Sequence, residues 1–229
     1  ESSKNLNIEQ TIITSTSEVY GSAQYVPIDE KHPLSAQSPY SASKISADQL
    51  AISYWNSFQL PIKIIRPFNI YGPRQSGRAV IPSIIIQALN SKNEIKLGNV
   101  EPTRDFTYVS DIVDALIAAA KSNRAARVYN VGSGNTVSIN QLVELLSGEK
   151  VYIPKRPGEP DCTFADVSKI SELLDWKTEI SFEEGVALML ENIENWREAP
   201  VWNAQGIKDA TKDWFKYLGE NGEGNGQVS

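Results

Sequence analysis

Three strand-length runs, residues 10–15 (Q-T-I-I-T-S), 62–66 (I-K-I-I-R) and 127–131 (R-V-Y-N-V), lie far apart in the chain with helical stretches between them. That alternation restricts the fold more than any other feature. Strands joined by helical crossovers pair in parallel, and a parallel sheet is buried on both faces, so I-K-I-I-R reads as one continuous buried strand. The best-marked crossover starts at Ser38-Pro39, a capping residue followed by the residue favoured at the first helical position. Ile45, Leu50, Ile52, Trp55 and Phe58 carry that helix over 40–58, and Pro61 stops it. Three parallel strands leave two faces and two edges to cover, so the chain reads as the second half of a larger sheet.

The other elements are shorter. Residues 1–8 read as the tail of a helix, 81–89 as a helix, and Ser110 as the cap of a helix through Ala120. Ser138 with Gln141 and Ser181 with Glu184 form capping boxes for helices reaching Leu146 and Trp196. Residues 151–153 read as a strand, Asp166 as the start of a helix ending at Leu174, and 206–218 as a last helix burying Trp214 and Phe215. Residues 219–229, rich in Gly, Asn and Glu, are expected to stay disordered. The expected division is 1–135 for the sheet-bearing part, with insertions around 74–105, then 136–218 for a smaller lobe and C-terminal helices.

Charge and composition remove several classes of function. With 22 Lys and Arg against 28 Asp and Glu, the net charge of -6 has the wrong sign for tracking nucleic-acid phosphates. No apolar run approaches the roughly 20 residues of a membrane helix; the densest, 81–89, contains Pro82, Ser83 and Gln87. A single cysteine, Cys162, excludes an internal disulfide and fits a reducing, cytoplasmic setting. His32 has no second histidine to share a metal, so none is expected. The only methionine is Met189 and the chain opens at Glu1 without a signal-peptide pattern, which makes a truncated chain the expectation.

The residues with most chemical promise are Tyr40 and Lys44 in S-P-Y-S-A-S-K, four apart and therefore on one face of the helix. A phenol is a poor base at neutral pH, because its reference pKa is about 10, and a fixed ammonium nearby favours the phenolate. The spacing alone reads first as a solvated pair on an amphipathic helix, because such pairs are common. Its company is what matters. The first strand runs into Thr16-Ser17-Glu18, and open α/β sheets place their chemistry at the carboxyl ends of strands. A hydroxyl there can hydrogen-bond a substrate hydroxyl, and Glu18 can move a second proton if burial raises its pKa. Taken alone, that stretch is an ordinary polar turn. Residues 66–74 (R-P-F-N-I-Y-G-P-R) leave the next strand at the same edge, and Arg104 offers a forked donor for a diphosphate. Arg74, Arg78 and Arg156 are further cations that read first as surface charge.

Together these blocks resemble the extended short-chain dehydrogenase/reductase family of NAD-dependent nucleotide-sugar epimerases and dehydratases. The resembling segments are T-S-T-S-E-V-Y-G, S-P-Y-S-A-S-K, R-P-F-N-I-Y-G-P-R, R-D-F-T-Y-V-S-D, Y-N-V-G-S-G and R-P-G-E-P-D, in the family's order. The stretch from Ser17 to Leu34 looks most like 4,6-dehydratases acting on nucleotide-linked N-acetylhexosamines, including the legionaminic-acid group. The resemblance implies an α/β fold, the C-terminal part of a Rossmann-type doubly wound parallel sheet plus a small α/β substrate-binding lobe.

It further implies Thr16, Ser17, Glu18, Tyr40 and Lys44 as catalytic positions, and Tyr40, Lys44 and Pro67 beside NAD. Asn69 and Arg104 fall where the family holds the diphosphate of a nucleotide-sugar substrate. Oxidation at C4, loss of water across C5 and C6, and hydride return at C6 are the implied reaction. A 4-epimerase or a uronate decarboxylase is the runner-up, and a homodimer built through the Tyr40 helix is expected. Ser17 stands where glucose-type dehydratases carry Asp, and no Arg follows R-P-G, which leaves the nucleotide open. The family's glycine-rich first turn has no counterpart, and Gly132-Ser133-Gly134 lacks a third glycine. The NAD site is therefore expected to be incomplete, and a non-catalytic fragment is the reading from another class.

Overall fold

The computed structural model of the chain describes residues 6–90, 94–97, 102–145, 149–152, 162–199 and 212. The expected tail 219–229, the helix 206–218 apart from Lys212, and Arg156 lie outside these residues, as do most of the first helix and the end of the strand 151–153. Residues 6–8 are described and are not helical.

In chain order, β1 (Thr11–Thr14) leads to a 3-10 turn (Ser17–Tyr20) and then α1 (Pro39–Phe58). Next come β2 (Ile62–Pro67), β3 (Asn69–Tyr71), α2 (Val80–Asn90), β4 (Glu94–Leu97), β5 (Thr103–Arg104) and β6 (Phe106–Tyr108). They are followed by α3 (Val109–Lys121), β7 (Arg127–Val131), β8 (Val137–Ser138), α4 (Ile139–Leu145) and β9 (Glu149–Tyr152). The last are β10 (Cys162–Thr163), α5 (Ser168–Leu174), α6 (Phe182–Glu191) and a 3-10 turn (Ile193–Trp196).

The chain forms two compact units. One comprises Glu1–Tyr71, Thr103–Val137 and Cys162–Gly185, the other Gly72–Pro102, Ser138–Asp161 and Val186–Ser229.

The first unit is built on a parallel sheet in the order β1-β2-β7, with Ile64 opposite Ile13 and Val128. Residues of β2 alternate between its faces, as the pleat requires. Ile62 and Ile64 pack with Ala51 of α1, while Ile65 joins Ile112, Ala115, Tyr129, Ile170 and Trp176 on the α3 and α5 side. Each such isoleucine contributes about 1.5–3 kcal/mol on full burial. The alternation has one unexpected tenant on each side. Lys63 is buried, and its ammonium donates to Ala119 O (2.7 Å), Ser122 O (2.6 Å) and Gln10 Oε1, closing the end of α3 with a positive charge. Desolvation lowers its pKa. Arg66, on the other face, pairs with Asp48 of α1 at 3.0 Å.

α1 starts as its sequence dictates. Ser38 Oγ accepts from Ser41 N (3.1 Å), Ser41 Oγ accepts from Ser38 N (3.0 Å), and Pro39 fills the first helical position. The helix ends at Gln59 in the left-handed conformation. α3 departs from expectation, because its cap is Tyr108, which makes no side-chain capping bond, and Ser110 lies inside the first turn. Asp166 likewise stands before α5 and accepts from Ser168 N at 2.9 Å, with Val167 at the cap position. Ser181 Oγ accepts from Glu184 N (3.1 Å), but α6 stops at Glu191 and a separate 3-10 turn carries the chain to Trp196.

In the second unit β4 pairs in parallel with β9, and α2 packs on β4 with Ile81, Ile84, Ile85 and Ile86 buried. Ser138 and Gln141 form the expected box at the start of α4, with Gln141 N donating to Ser138 Oγ (3.1 Å) and Ser138 N to Gln141 Oε1 (2.9 Å). No helix among the described residues is long and apolar enough to cross a membrane.

Candidate active site

At the carboxyl edge of the first unit's sheet, Lys44 ties α1 to the end of β1. Its ammonium donates to Thr14 O at 3.0 Å and lies 5.9 Å from the centre of the Tyr40 ring. Tyr40 is about half open to solvent (49%), so its side chain lies at the surface of the unit rather than in the core. The ammonium is anchored by a backbone carbonyl and lies beside the Tyr40 ring one helical turn away.

Two residues past Thr14, the chain turns. Thr16 N-caps the 3-10 turn, its Oγ1 accepting from Glu18 N at 3.2 Å. Gly21 closes the turn by donating to Glu18 O (3.2 Å), and only glycine fits there: φ is +63°, and a Cβ would lie 2.6 Å from Ser35 O. α1 packs against this turn. The Glu18 side chain is largely open by surface area yet backed by protein on one side, and that partial burial raises its carboxyl pKa. Ser17 lies between them, half-buried. Thr16, Ser17, Glu18, Tyr40 and Lys44 are thus carried by two elements in direct contact.

Pro67 is buried at the last position of β2, opposite Val131 of β7. Two residues on, Asn69 opens β3. Its Oδ1 accepts from Thr163 Oγ1 at 2.8 Å, and that hydroxyl accepts from Asp105 N at 3.3 Å. A hydroxyl with an incoming N–H gives its own proton to Asn69, which turns the amide's NH2 away and leaves it as a donor. Thr163 is the register partner of Arg104, whose side chain is buried and donates to Thr103 O at 3.0 Å. Asn69 and Arg104 therefore flank the same short strand. Arg74 and Arg78 are exposed and belong to the second unit.

The glycine pair Gly132 and Gly134 is already filled. Asp105, fully buried, accepts from Ser133 N (2.6 Å), Ser133 Oγ (2.7 Å), Gly134 N (3.3 Å) and Ala165 N (3.0 Å). A Cβ on Gly132 would lie 2.4 Å from Ala165 Cβ. This nest of N–H groups has an internal carboxylate as its anion, so it cannot take a dinucleotide's pyrophosphate. His32 is also consumed by the fold: Nε2 accepts from Gln24 N (2.9 Å), Nδ1 meets Pro33 O (2.9 Å), and the ring packs on Tyr20 and Tyr25. The sequence reading passed over Tyr20, Asp48 and Asn130, which join Arg66 in a buried polar chain under the site.

A family model described as GDP-mannose 4,6 dehydratase matches residues 1–189. UDP-glucuronate 4-epimerase of Thermodesulfobacterium geofontis is 33% identical over 215 residues, 90% of this chain and 64% of that protein. dTDP-D-glucose 4,6-dehydratase of Bos taurus is 30% identical over 209 residues, 84% of this chain and 59% of that protein. The crystal structure of UDP-glucuronic acid 4-epimerase from Bacillus cereus, in complex with UDP-glucuronic acid and NAD, is similar with a TM-score of 0.78. It is 34% identical and covers 83% of this chain and 63% of its own. The chain spans about three fifths of the length of the curated relatives it matches.

Proposed function

The chain belongs to the extended short-chain dehydrogenase/reductase family of NAD-dependent nucleotide-sugar epimerases and dehydratases, and on that premise we propose that it carries the catalytic edge of a nucleotide-sugar 4,6-dehydratase. The observation that carries this reading is the shared turn that sets Glu18 two residues from Thr16 and packs against the Tyr40 helix. A 4-epimerase needs one proton acceptor at the C4 hydroxyl. A dehydratase needs a second group for the C5 proton, and Glu18 with its raised pKa meets that need.

The donor set fits the nicotinamide end of NAD: a Lys44 ammonium that gives one N–H to Thr14 O and has further N–H donors for a ribose hydroxyl, and Pro67 closing β2 without an N–H. Among the described residues the pyrophosphate end has no counterpart. NAD held there would supply a hydride acceptor for C4 and, once reduced, a hydride donor for C6. Tyr40 accepts the proton of the C4 hydroxyl, and Lys44 stabilises the charge that develops on the phenol before the transfer. Thr16 hydrogen-bonds the same sugar hydroxyl and orients it. Glu18 as carboxylate removes the C5 proton, made acidic by the neighbouring ketone, and hands that proton to the C6 hydroxyl, which departs as water as the C5–C6 double bond forms. C5 regains a proton, the equivalent of the one Tyr40 took, when hydride is returned at C6. Asn69 and Arg104 hold the diphosphate through the amide and the guanidinium.

Product analysis of the full-length protein with UDP- and dTDP-linked hexoses tests the reading. A 4-keto-6-deoxy sugar is the expected product. An epimer as sole product replaces it with the 4-epimerase reading, which the similarity to solved 4-epimerases favours. Glu18→Gln is expected to leave transient C4 oxidation intact and to cut water loss by about 100-fold or more. Because Glu18 acts unprotonated, the wild-type rate should rise with pH through a pKa above the ordinary carboxylate range, and the variant should lose that limb. Water loss at the normal rate in the variant sinks the assignment.

α1 also supports a dimer. Leu50 (60% exposed) and Phe58 (48%) point out of the unit, eight residues apart on one helical face, with Tyr54 between them against Phe58. Leu50→Glu in the full-length protein is expected to convert a dimer to monomer in sedimentation velocity; an unchanged sedimentation coefficient rejects this face.

A further inference from the structure

A continuous chain of buried polar groups runs under the site and takes no part in the chemistry assigned above. Arg66 Nε donates to Asp48 Oδ2 at 3.0 Å, and Arg66 Nη1 donates to the Tyr20 hydroxyl at 2.9 Å. The Tyr20 hydroxyl donates in turn to Asn130 Oδ1 at 2.6 Å. Asn130 Nδ2 then donates to Ile28 O (2.9 Å), and its backbone N–H donates to Glu30 Oε1 (2.8 Å). A guanidinium has donors only, so the direction of every bond is fixed: the phenol accepts from Arg66 and gives its proton to Asn130. Burial pushes the Tyr20 phenol up to about 12 despite the adjacent Arg66, so it keeps that proton at any working pH.

The nodes sit on the elements that carry the site. Asp48 follows Lys44 by one turn of α1. Tyr20 ends the turn that Thr16 caps and that holds Glu18. Arg66 directly precedes Pro67 in β2. We propose that Tyr20, Arg66 and Asp48 form a positioning clamp that fixes the Thr16–Glu18 turn at a set distance from the Tyr40–Lys44 helix, with Tyr20 as the residue that transmits the hold. The clamp rests on the dehydratase reading for which side chains it aligns.

Two physical arguments favour positioning over bulk stability. Four residues of 3-10 helix have poor hydrogen-bond geometry and little stability of their own, so the turn's placement has to come from outside it. Among the described residues, Tyr20 is the side chain of the turn that bonds into the sheet, through Arg66 and Asn130. A fully desolvated ion pair is commonly no more stabilising than a well-packed apolar pair, so its presence here is better explained by the geometry it imposes. Misplacing a reacting group by about 1 Å costs on the order of 100-fold in rate.

Tyr20→Phe in the full-length protein tests the clamp, because it deletes the hydroxyl and keeps the ring against His32 and Phe68. We expect kcat to fall by about 10- to 100-fold with KM for the sugar nucleotide within twofold, and backbone amides of 16–21 to exchange faster than those of β2. A kcat within threefold of wild type, or a rise in KM with kcat kept, overturns the clamp. Should Tyr20→Phe not fold, Asn130→Ala, which removes the phenol's acceptor, is held to the same outcomes. The split is read on whichever reaction the wild type performs, so a wild type that only epimerises sinks the dehydratase reading and leaves the clamp test standing; faster exchange at 16–21 reports on the clamp without turnover.

Discussion

Tyr40→Phe is expected to lower kcat of the full-length protein by about 1,000-fold while leaving KM for the sugar nucleotide within a fewfold and the melting temperature unchanged. The rate term follows from the loss of the group that takes the C4 hydroxyl proton, for which general base catalysis is worth roughly 100- to 10,000-fold. The unchanged stability follows from placement. Tyr40 is 49% exposed in the first turn of α1, whose start is secured by Ser38, Pro39 and Ser41, and surface substitutions of this kind stay within about 0.5 kcal/mol. The KM term follows because substrate is held by Asn69 and Arg104, on other elements. A kcat within tenfold of wild type would show that another group receives the proton. A lower melting temperature would show that the phenol serves the fold.

The fold was legible where a local rule decides it. Ser38-Pro39 marked α1 to within a residue, because a cap and a first-turn proline are chemical events in the chain itself. The runs at 10–15, 62–66 and 127–131 became β1, β2 and β7: β2, the central strand, is buried along its whole length, and its two neighbours carry the β-branched and aromatic residues that pack against it. β3, β5, β6 and β10 were not legible: two or three residues have no period, and their pairing is imposed by distant partners such as Asn69 with Phe106. Ser110 misled for a related reason. It has the right chemistry for a cap, but β6 runs into α3 without a loop, so the cap position falls to Tyr108.

The site was legible as spacing and not as wiring. Tyr40 and Lys44 four apart, and Thr16 with Glu18 past a strand end, are patterns within short windows. Asp48 with Arg66, Tyr20 with Asn130, and Asp105 with the Gly132–Gly134 nest join residues 18, 110 and about 28 positions apart. One signal was available in the sequence: two cations, Lys63 and Arg66, inside a strand read as buried require partners on both faces of the sheet. Alternation along β2 sends Lys63 to the end of α3 and Arg66 to α1, where Asp48 is an acid on the inward side.

Asp48→Ala is expected to produce a large loss of stability. Both partners are buried, 3% and 0% exposed, and removing the carboxylate leaves Arg66 charged in the core with its Nε and Nη2 unpaired. Breaking a buried pair from one side costs about 3–5 kcal/mol. Asp48 Oδ1 has no donor among the described residues, so its removal relieves one unsatisfied oxygen and favours the lower end of that range. At roughly 2–4 °C per kcal/mol for a chain of this size, the melting temperature should drop by about 6–12 °C. The double change Asp48→Leu with Arg66→Met separates the pair's two roles. It removes both charges, so thermal stability should return to near wild type, since apolar replacement of a buried pair is commonly neutral or better. It also removes the donor that holds the Tyr20 hydroxyl, so kcat should stay low even in a protein that melts normally. Recovery of both quantities together would mean that the pair serves packing alone and that the turn bearing Glu18 finds its place without it.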